Sequence, residues 1–330
     1  MSYGQVNADV IGTSVANTSL GAGNASIMKN RIINGAMVID QRYSGGLNTP
    51  SASTSIYVLD RWFIQASQSS KFSVQQNAGS VTPPAGFSNY LGFTSLSAYS
   101  VNSTDYFDVV QRIEGFNVND LAWGTANAKT VTLSFWVYSS LTGTFGGALQ
   151  NGSNNRSYPF TYAISSANTW TQISVTIAGD TTGTWTATNG SGLQIGFGLG
   201  AGSTYSGTSG SWAGANYLSA TGATSVVGTN GATFYITGVQ LEVGSSATGF
   251  EYRQYQQELA LCQRYFYNLG SVYVFTSATS YGNFALKSSM RATPTVTGGG
   301  AGFVAGASSE FLFPYQTTAG YQTLLASAEL

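Results

Sequence analysis

Two groups of aromatic and hydrogen-bonding residues lie in segments rich in glycine, serine and threonine. The first group is Tyr205, Trp212, Asn216 and Tyr217, and the second is Asp180, Trp185 and Asn189. Aromatic rings stack on the apolar C–H face of a sugar, while amides and carboxylates bond to its hydroxyls, and such mixtures serve recognition surfaces in general. Both groups are therefore predicted positions for binding a glycan. In the alternative interpretation, these rings pack under their own loops or in a subunit interface.

The residue types present disfavour nucleophilic and zinc-assisted catalysis. The 330 residues include no histidine and a single cysteine, Cys262. A cysteine nucleophile would therefore lack a histidine base, and a zinc site would lack its usual nitrogen and sulfur ligands. Cys262 shares an apolar stripe with Leu259 and Phe266, which predicts a buried structural thiol.

The carboxylates form no recognisable hydrolytic pair. Asp105 and Asp108 are three residues apart, and on a strand that spacing places them on opposite faces. A glycosidase needs two carboxyl groups about 5 to 9.5 Å apart. Four further carboxylates are dispersed along the chain and are expected to serve solubility or ion pairing: Asp40, Asp60, Glu114 and Asp180. The sequence therefore predicts that the protein is not an enzyme.

Charge and composition disfavour several classes of partner. Charged residues make up 8% of the chain, against about 25% in typical domains, and the 12 basic residues form no run. We therefore expect no nucleic-acid partner, and no apolar run approaches the roughly 18 residues of a membrane span. The first ten residues lack the pattern of a secretory signal. A net charge of −1 with 42% hydrophobic residues suits a tight oligomer or a large assembly.

Strands are the elements that must position these residues. In residues 131–137 the apolar positions are Val131, Leu133, Phe135 and Val137, and this alternation recurs in residues 173–177 and 193–199. A period of two places alternate side chains on opposite faces of a strand. Further strands are expected near residues 36–41, 61–65, 71–75, 106–113, 160–164 and 233–243. Strands and turns without a helical period between them predict antiparallel sheets in a mainly β sandwich or barrel.

Changes of composition divide the chain into three parts. Residues 1–34, rich in Asn, Ser, Gly and Ala, are predicted to form an N-terminal attachment arm, with a floppy terminus as the alternative. Residues 35–250 form the β domain, and residues 251–330 form a small C-terminal domain of one helix and a few strands. The helix is expected over 252–269, where apolar residues recur at spacings of three and four. Its apolar stripe packs on its own sheet or in a bundle between subunits.

Two irregular features are expected inside the β domain. In the strand at 233–243 the apolar positions change face at Gly238, which predicts a β-bulge there. Residues 200–232 form a long loop rich in Gly, Ser and Thr, and loops of this length in compact domains are usually functional or disordered.

Parts of the sequence resemble a known family. Residues 30–37 (NRIINGAM) and 234–244 (FYITGVQLEVG) resemble the opening and closing strands of carbohydrate-binding jelly-roll modules. A fuller resemblance, over roughly residues 28–330, is to bacteriophage tail-fibre and receptor-binding proteins. These proteins share the jelly roll and continue into stretches like residues 250–265 and 290–296.

The resemblance implies a jelly-roll β-sandwich within a homotrimeric virion component. This component would project from the particle and bind host surface glycans. Residues 1–34 would then hold other tail or capsid proteins. Jelly-roll modules of this kind often hold calcium near the opening strand, so Asp40 and Glu242 are candidate calcium ligands. Two alternatives stay open. One is a purely structural virion protein, such as a capsid decoration or tail-assembly component, and the other is a polysaccharide depolymerase.

Overall fold

The computed structural model describes residues 29–51, 54–274, 284–298, 304–315 and 320–330. Residues 1–28 of the predicted arm lie outside the described residues. The first part of the chain forms strands that are, in chain order, β1 (Thr54–Leu59), β2 (Trp62–Ala66), β3 (Phe72–Gln76), β4 (Leu91–Ser95), β5 (Tyr106–Glu114), β6 (Val131–Ser139), β7 (Gly143–Asn151), β8 (Ser157–Ile164), β9 (Thr171–Ile177), β10 (Ser191–Ala201), β11 (Ser206–Gly207), β12 (Ser219–Ala220) and β13 (Thr233–Val243).

Two antiparallel sheets face each other. The first has six strands in the spatial order β1-β2-β5-β10-β7-β8, and the second has five in the order β3-β4-β13-β6-β9. The short strands β11 and β12 pair with each other in parallel, outside both sheets. The predicted mainly β, antiparallel jelly-roll sandwich is confirmed. Since the two large sheets are separate, the structure is a sandwich and not a barrel.

The core lies between the inner faces of the two sheets. Phe135 of β6 illustrates the packing, because its ring centroid lies 4.9 Å from that of Phe197 on β10 and 5.0 Å from that of Tyr162 on β8. Phe135 and Phe197 are at most 1% exposed. Burial of one such side chain is worth roughly 1.5–3 kcal/mol. The alternation read from the sequence is thus the alternation between core and outer face.

Most predicted strands are found, and in the two large sheets there are three omissions and one error. Strands β1, β4 and β7 were not predicted, and residues 36–41 form no strand. In β7 three glycines interrupt the alternation, and Gly147 is required because a Cβ there would lie 2.5 Å from the Phe160 ring. Residues 36–41 are instead curled by left-handed backbone at Asn34 and Met37, and the Asn34 side chain bonds both backbone groups of Ile39.

The predicted bulge at Gly238 is present. The register of β13 against β6 shifts between Thr237 and Gln240, and Gly238 has φ 61°. The freed backbone N–H of Val239 donates to the Gly35 carbonyl at 3.0 Å. The part of the predicted arm that is described, residues 29–34, therefore runs along the sandwich of its own chain, where Arg31 N–H also donates to Leu241 O.

The C-terminal part contains α1 (Tyr255–Gln263) and the strands β14 (Phe266–Val274), β15 (Phe284–Ala285), β16 (Thr295–Thr297), β17 (Val304–Ala307), β18 (Phe311–Tyr315) and β19 (Gly320–Ser327). The predicted helix is found, but the expected range of 252–269 is too long, since the helix ends at Gln263. The chain turns at Arg264 and Tyr265, so Phe266 begins a strand that pairs with β19. Cys262 is fully buried, as expected, and burial raises the pKa of its thiol. The domain boundaries themselves stay a prediction.

Among the described residues, no helix is both long enough and apolar enough to span a bilayer.

Candidate functional site

The outer face of the six-stranded sheet carries a row of polar and small residues. In β5, Phe107, Val109 and Ile113 point into the core. The alternate residues Tyr106 and Asp108 therefore point to the outer face. Asp108 is paired in register with Gln65 on β2 and with Gly198 on β10. Neighbouring strands thus place these side chains on one outer surface.

Glycines make room on this face for a crossing segment. A Cβ at Gly146 on β7 would lie 2.6 Å from the Ser219 hydroxyl, and a Cβ at Gly198 would lie 2.8 Å from it. Residues 203–220 can therefore lie directly on the sheet. The segment is held there because Ser157 and Ala213 exchange two backbone hydrogen bonds, of 2.8 and 3.0 Å.

A cleft of about 210 Å³ lies between this segment and the sheet. Its lining consists of four carboxamides, two phenols and one leucine: Gln65, Gln150, Asn154, Asn216, Tyr106, Tyr205 and Leu218. The rings of Tyr106 and Tyr205 meet edge to face with centroids 5.0 Å apart. Carboxamides both donate and accept hydrogen bonds, so the cleft presents adaptable polar groups beside flat aromatic surface.

Hydrogen bonds hold several of the carboxamides in place. Gln150 Nε2 donates to Asn216 Oδ1 at 2.6 Å, which ties the crossing segment to β7. Gln194 Nε2 donates to Asn154 Oδ1 at 2.5 Å, and Arg112 Nε donates to Gln194 Oε1 at 3.0 Å. These contacts orient the side chains of the lining. They do not use the amide nitrogens of Asn154 and Asn216, which can therefore donate hydrogen bonds to a ligand.

A buried carboxyl group lies in the sheet beside this cleft. Asp108 is 1% exposed, and among the described residues neither of its carboxyl oxygens has a hydrogen-bond partner. Burial raises the pKa of Asp108 to about 8, with the Arg112 charge acting weakly in the opposite direction. The group is therefore mostly protonated at pH 7.

The first predicted group of ligand-binding residues is divided by the structure. Tyr205 and Asn216 line the cleft. Tyr217 packs over Gly207, where a Cβ would lie 2.3 Å from its ring. Trp212 belongs to a cluster with Trp123, its ring centroid 5.3 Å away, and its indole N–H donates to Ala178 O at 2.8 Å. Binding by these residues stays a prediction, and the structure brings two of the four together at one cleft.

The second predicted group lies at a different place. Asp180 is 2% exposed, and its carboxyl oxygens accept hydrogen bonds from Arg156 Nε and Nη2, both at 2.7 Å. Trp185 packs edge to face on Trp123 at 4.8 Å. Asn189 is exposed, and its backbone carbonyl accepts a hydrogen bond from Arg291 in the C-terminal part. Each of these residues has a contact within the chain, and their role in ligand binding stays a prediction.

A second cavity, of about 250 Å³, lies beside Trp185. Its lining is mostly apolar, with Trp123, Val118, Leu121 and Leu193 contributing. It is slightly larger than the cleft, but it lacks the set of carboxamides that would orient a hydroxyl-rich ligand. The cleft on the outer face is therefore the better candidate for recognition.

The two candidate calcium ligands are hydrogen-bonded within their own segments. Asp40 accepts three backbone N–H groups from residues 42–45, at 2.6 to 3.1 Å. Glu242 accepts the Thr248 N–H at 2.8 Å and Gln240 Nε2 at 2.9 Å. Across the described ranges, no group of three or more acidic or cysteine side chains is arranged to hold a metal. Calcium at these positions stays a prediction.

Sequence reasoning missed five of the seven lining residues. Gln65 and Tyr106 stand at outward positions of predicted strands, so the alternation contained a signal for their direction. Nothing in the alternation states which strands are neighbours, and β2, β5, β10 and β7 come from distant parts of the chain. Gln150 was missed because its strand was not predicted.

No protein-family model matches the chain, and no curated protein matches it. Solved structures that superpose on it include a CBM4 carbohydrate-binding module, with 15% identity, 64% of this chain and 98% of that chain covered, and a TM-score of 0.32. TmCBM61 in complex with β-1,4-galactotriose has 9% identity, coverage of 56% and 88%, and a TM-score of 0.29. A family 11 module of a cellulosomal cellulase of Clostridium thermocellum has 12% identity, coverage of 62% and 99%, and a TM-score of 0.28. Similarity at this level assigns neither a family nor a ligand to this chain.

Proposed function

We propose that this chain binds a glycan in the cleft on the outer face of the six-stranded sheet. The observation that carries the proposal is the composition of the cleft, in which the rings of Tyr106 and Tyr205 stand beside four carboxamides. A sugar offers an apolar ring face and a rim of hydroxyls, and this lining matches both. Because hydrogen bonds already orient Gln150 and Asn216, less side-chain freedom is lost on binding.

The biological setting we propose is the exterior of a bacteriophage particle, where the chain attaches the virion to glycans on the host. The sequence resemblance to tail-fibre and receptor-binding proteins supports this setting. A homotrimer held in the particle through residues 1–34 would present several clefts at once. One millimolar contact is worth only about 4 kcal/mol, but linked contacts gain avidity without any new interaction.

The Tyr205→Ala variant tests the cleft. Truncation removes the ring but keeps the backbone bond from Leu218 N–H to Tyr205 O, so the crossing segment stays in place. We expect binding to the glycans recognised by the wild-type protein to fall about tenfold or more on an array. The matched control is Tyr255→Ala on α1. This variant loses a 58% exposed tyrosine that does not line the cleft, and we expect it to bind normally.

Further measurements distinguish the alternatives. A wild-type protein that binds no glycan on the array and lies away from the tail tip would be a structural virion component. Release of reducing ends from host capsule or lipopolysaccharide, abolished by one Asp or Glu substitution, would identify a depolymerase. Equal binding by Tyr205→Ala and wild type would remove the cleft from the recognition site.

A further inference from the structure

The lining of the cleft is uncharged. Its polar groups are the carboxamides of Gln65, Gln150, Asn154 and Asn216 and the phenols of Tyr106 and Tyr205. Burial raises the pKa of the Tyr106 hydroxyl above its usual value, so this phenol keeps its proton at neutral pH. Among the residues that the structure describes, no lysine or arginine side chain contributes to the lining.

Two arginines that are connected to the lining residue Asn154, Arg112 through Gln194 and Arg156 by sequence, make other contacts in the chain. Arg112 donates through Nε to Gln194 and through Nη1 to Leu330 O at 2.6 Å, and its guanidinium lies 4.4 Å from the Phe63 ring centre. Arg156, two residues after Asn154, makes two 2.7 Å hydrogen bonds to Asp180. Neither guanidinium is free to turn towards an anion in the cleft without breaking these contacts.

The sheet beneath adds the acid Asp108, while the base that it carries nearby, Arg112, is held by Gln194 and by the Leu330 carbonyl. Asp108 is paired in register with the lining residue Gln65, and the glycines at 196 and 198 place no side chain over it. When this carboxyl is protonated it contributes no charge, and when it ionises it contributes a negative one. In both states it fails to compensate an anionic ligand.

Desolvation therefore decides which ligand can enter. An anion that leaves water for a site without a counter-charge loses part of its hydration without replacement. An uncharged hydroxyl loses far less hydration free energy. Hydrogen bonds to the carboxamides take the place of those that it made to water. The volume of about 210 Å³ is below the roughly 300–1,000 Å³ of pockets for drug-sized ligands, so the cleft suits a short saccharide.

Building on the proposed function, we infer that the cleft selects uncharged saccharides and rejects those that carry a carboxylate, sulfate or phosphate. The specificity comes from the absence of any cation among the lining residues, and the buried Asp108 reinforces it.

The test uses pairs of sugars that differ by one acidic group. Methyl galactoside is compared with the sodium salt of methyl galactosiduronic acid, methyl glucoside with the sodium salt of methyl glucosiduronic acid, and N-acetylglucosamine with N-acetylglucosamine 6-sulfate. Ligand-detected NMR titrations on the full chain at pH 7 measure the affinity for each. We expect the neutral member of any pair that binds to be bound about tenfold more tightly than the acidic member.

A substitution at the rim is expected to cancel the selection. Asn216 is exposed, so Asn216→Arg places a cation beside the cleft without burying it. We expect this variant to shift the neutral-to-acidic affinity ratio about tenfold towards the acidic member. Gln172→Arg makes the same change from carboxamide to guanidinium at an exposed position of β9, in the other large sheet, and is the matched control, with the wild-type ratio expected. Thermal unfolding of both variants verifies that the fold is retained.

Each result bears on one of the two proposals. If an acidic sugar binds as tightly as its neutral partner or more tightly, the inferred selection is wrong while glycan binding stands. If no sugar of any pair binds, both the proposed function and this inference are overturned. If Asn216→Arg binds neutral sugars normally and its ratio does not change, charge in the cleft does not control specificity.

Discussion

At the scale of single residues, Asp108 is an unusual buried group. Buried polar atoms nearly always have hydrogen-bond partners, and neither carboxyl oxygen of Asp108 has one among the described residues. Sequence spacing indicated only that Asp108 lies on a strand. The chain tolerates the group because it stays protonated, and this has a consequence for stability.

We expect Asp108→Asn to remove a pH dependence of folding. With a folded pKa of about 8 and an unfolded pKa near 3.9, native Asp108 keeps a proton that the unfolded chain releases. Its contribution is therefore fully present below about pH 4 and is lost as pH rises to about 8, by up to about 1.4 kcal/mol per unit. Chemical denaturation of wild type and variant between pH 4 and 9 measures the difference in slope.

Asp105→Asn is the control of opposite sign. Although burial acts to raise the pKa of Asp105, hydrogen bonds from Tyr99, Asn102, Gln68 and Ser67 outweigh it and hold that pKa below its usual range. This carboxylate therefore stabilises the fold above its unfolded pKa, and the contribution is lost as pH falls. Asp105→Asn should be destabilised at pH 7 and approach wild type in acid. Parallel pH profiles for both variants would contradict the assignment of Asp108 as a neutral buried acid.

Trp212 shows how packing changes the meaning of an aromatic residue in a loop. Its ring contacts Trp123, Trp185 and Tyr158 with centroids 5.3 to 5.4 Å apart. We expect Trp212→Ala to lower the free energy of unfolding by roughly 2–4 kcal/mol, because it opens a cavity in this cluster. Phe116→Ala, at a 60% exposed position, should cost below about 0.5 kcal/mol. Urea denaturation compares them, and equal stabilities would show that the cluster is not structural.

At the scale of elements, the bulge in β13 links the two ends of the β domain. Gly238 allows β13 to break its pairing with β6, and the released Val239 N–H is then taken by Gly35. A Cβ at Gly35 would lie 2.1 Å from the Val239 carbonyl oxygen, so the opening segment approaches the bulge as closely as glycine allows. The opening and closing segments, some 200 residues apart, depend on each other for this reason.

Gly238→Ala should destabilise the protein for two reasons. Its φ of 61° is costly for a residue with a Cβ, and the new methyl would lie 2.6 Å from Phe87 and 3.0 Å from Trp136. Gly231→Ala is a matched control, with φ 75° and nothing within 4 Å of a Cβ, so it bears only the backbone cost of about 1–2 kcal/mol. Thermal unfolding should show Gly238→Ala as clearly the less stable variant. The reverse order would show that steric contact at the bulge is unimportant.

At the scale of the whole molecule, the C-terminal part is joined to the sandwich by buried charge. Glu329 pairs with both Arg42 and Arg61, and Leu330 O accepts hydrogen bonds from Tyr57 and Arg112. The Arg61 side chain is 1% exposed and Glu329 is 8% exposed. The last residues of the chain therefore close over one end of the six-stranded sheet.

We expect Glu329→Gln to loosen this junction. Removal of one partner leaves the Arg61 charge buried without compensation, which should cost roughly 3 kcal/mol. Asp120→Asn removes an exposed pair with Arg31, where the side chains are 46% and 22% exposed, and should cost below about 1 kcal/mol. Hydrogen exchange in β14 and β19 should accelerate in Glu329→Gln only. Unchanged exchange would mean that the ion pair does not hold the C-terminal part.

The sequence by itself determined the class of fold, because the alternation of apolar residues is a local property that each strand carries alone. It also determined the buried thiol at Cys262 and the bulge at Gly238. The cleft was decided only by the tertiary structure. Gln65, Tyr106, Gln150 and Asn216 are separated by up to 151 residues, and they meet because of strand order and because glycines admit the crossing segment. No local sequence pattern predicts the strand order or the path of the crossing segment, since strand order depends on pairing between distant parts of the chain.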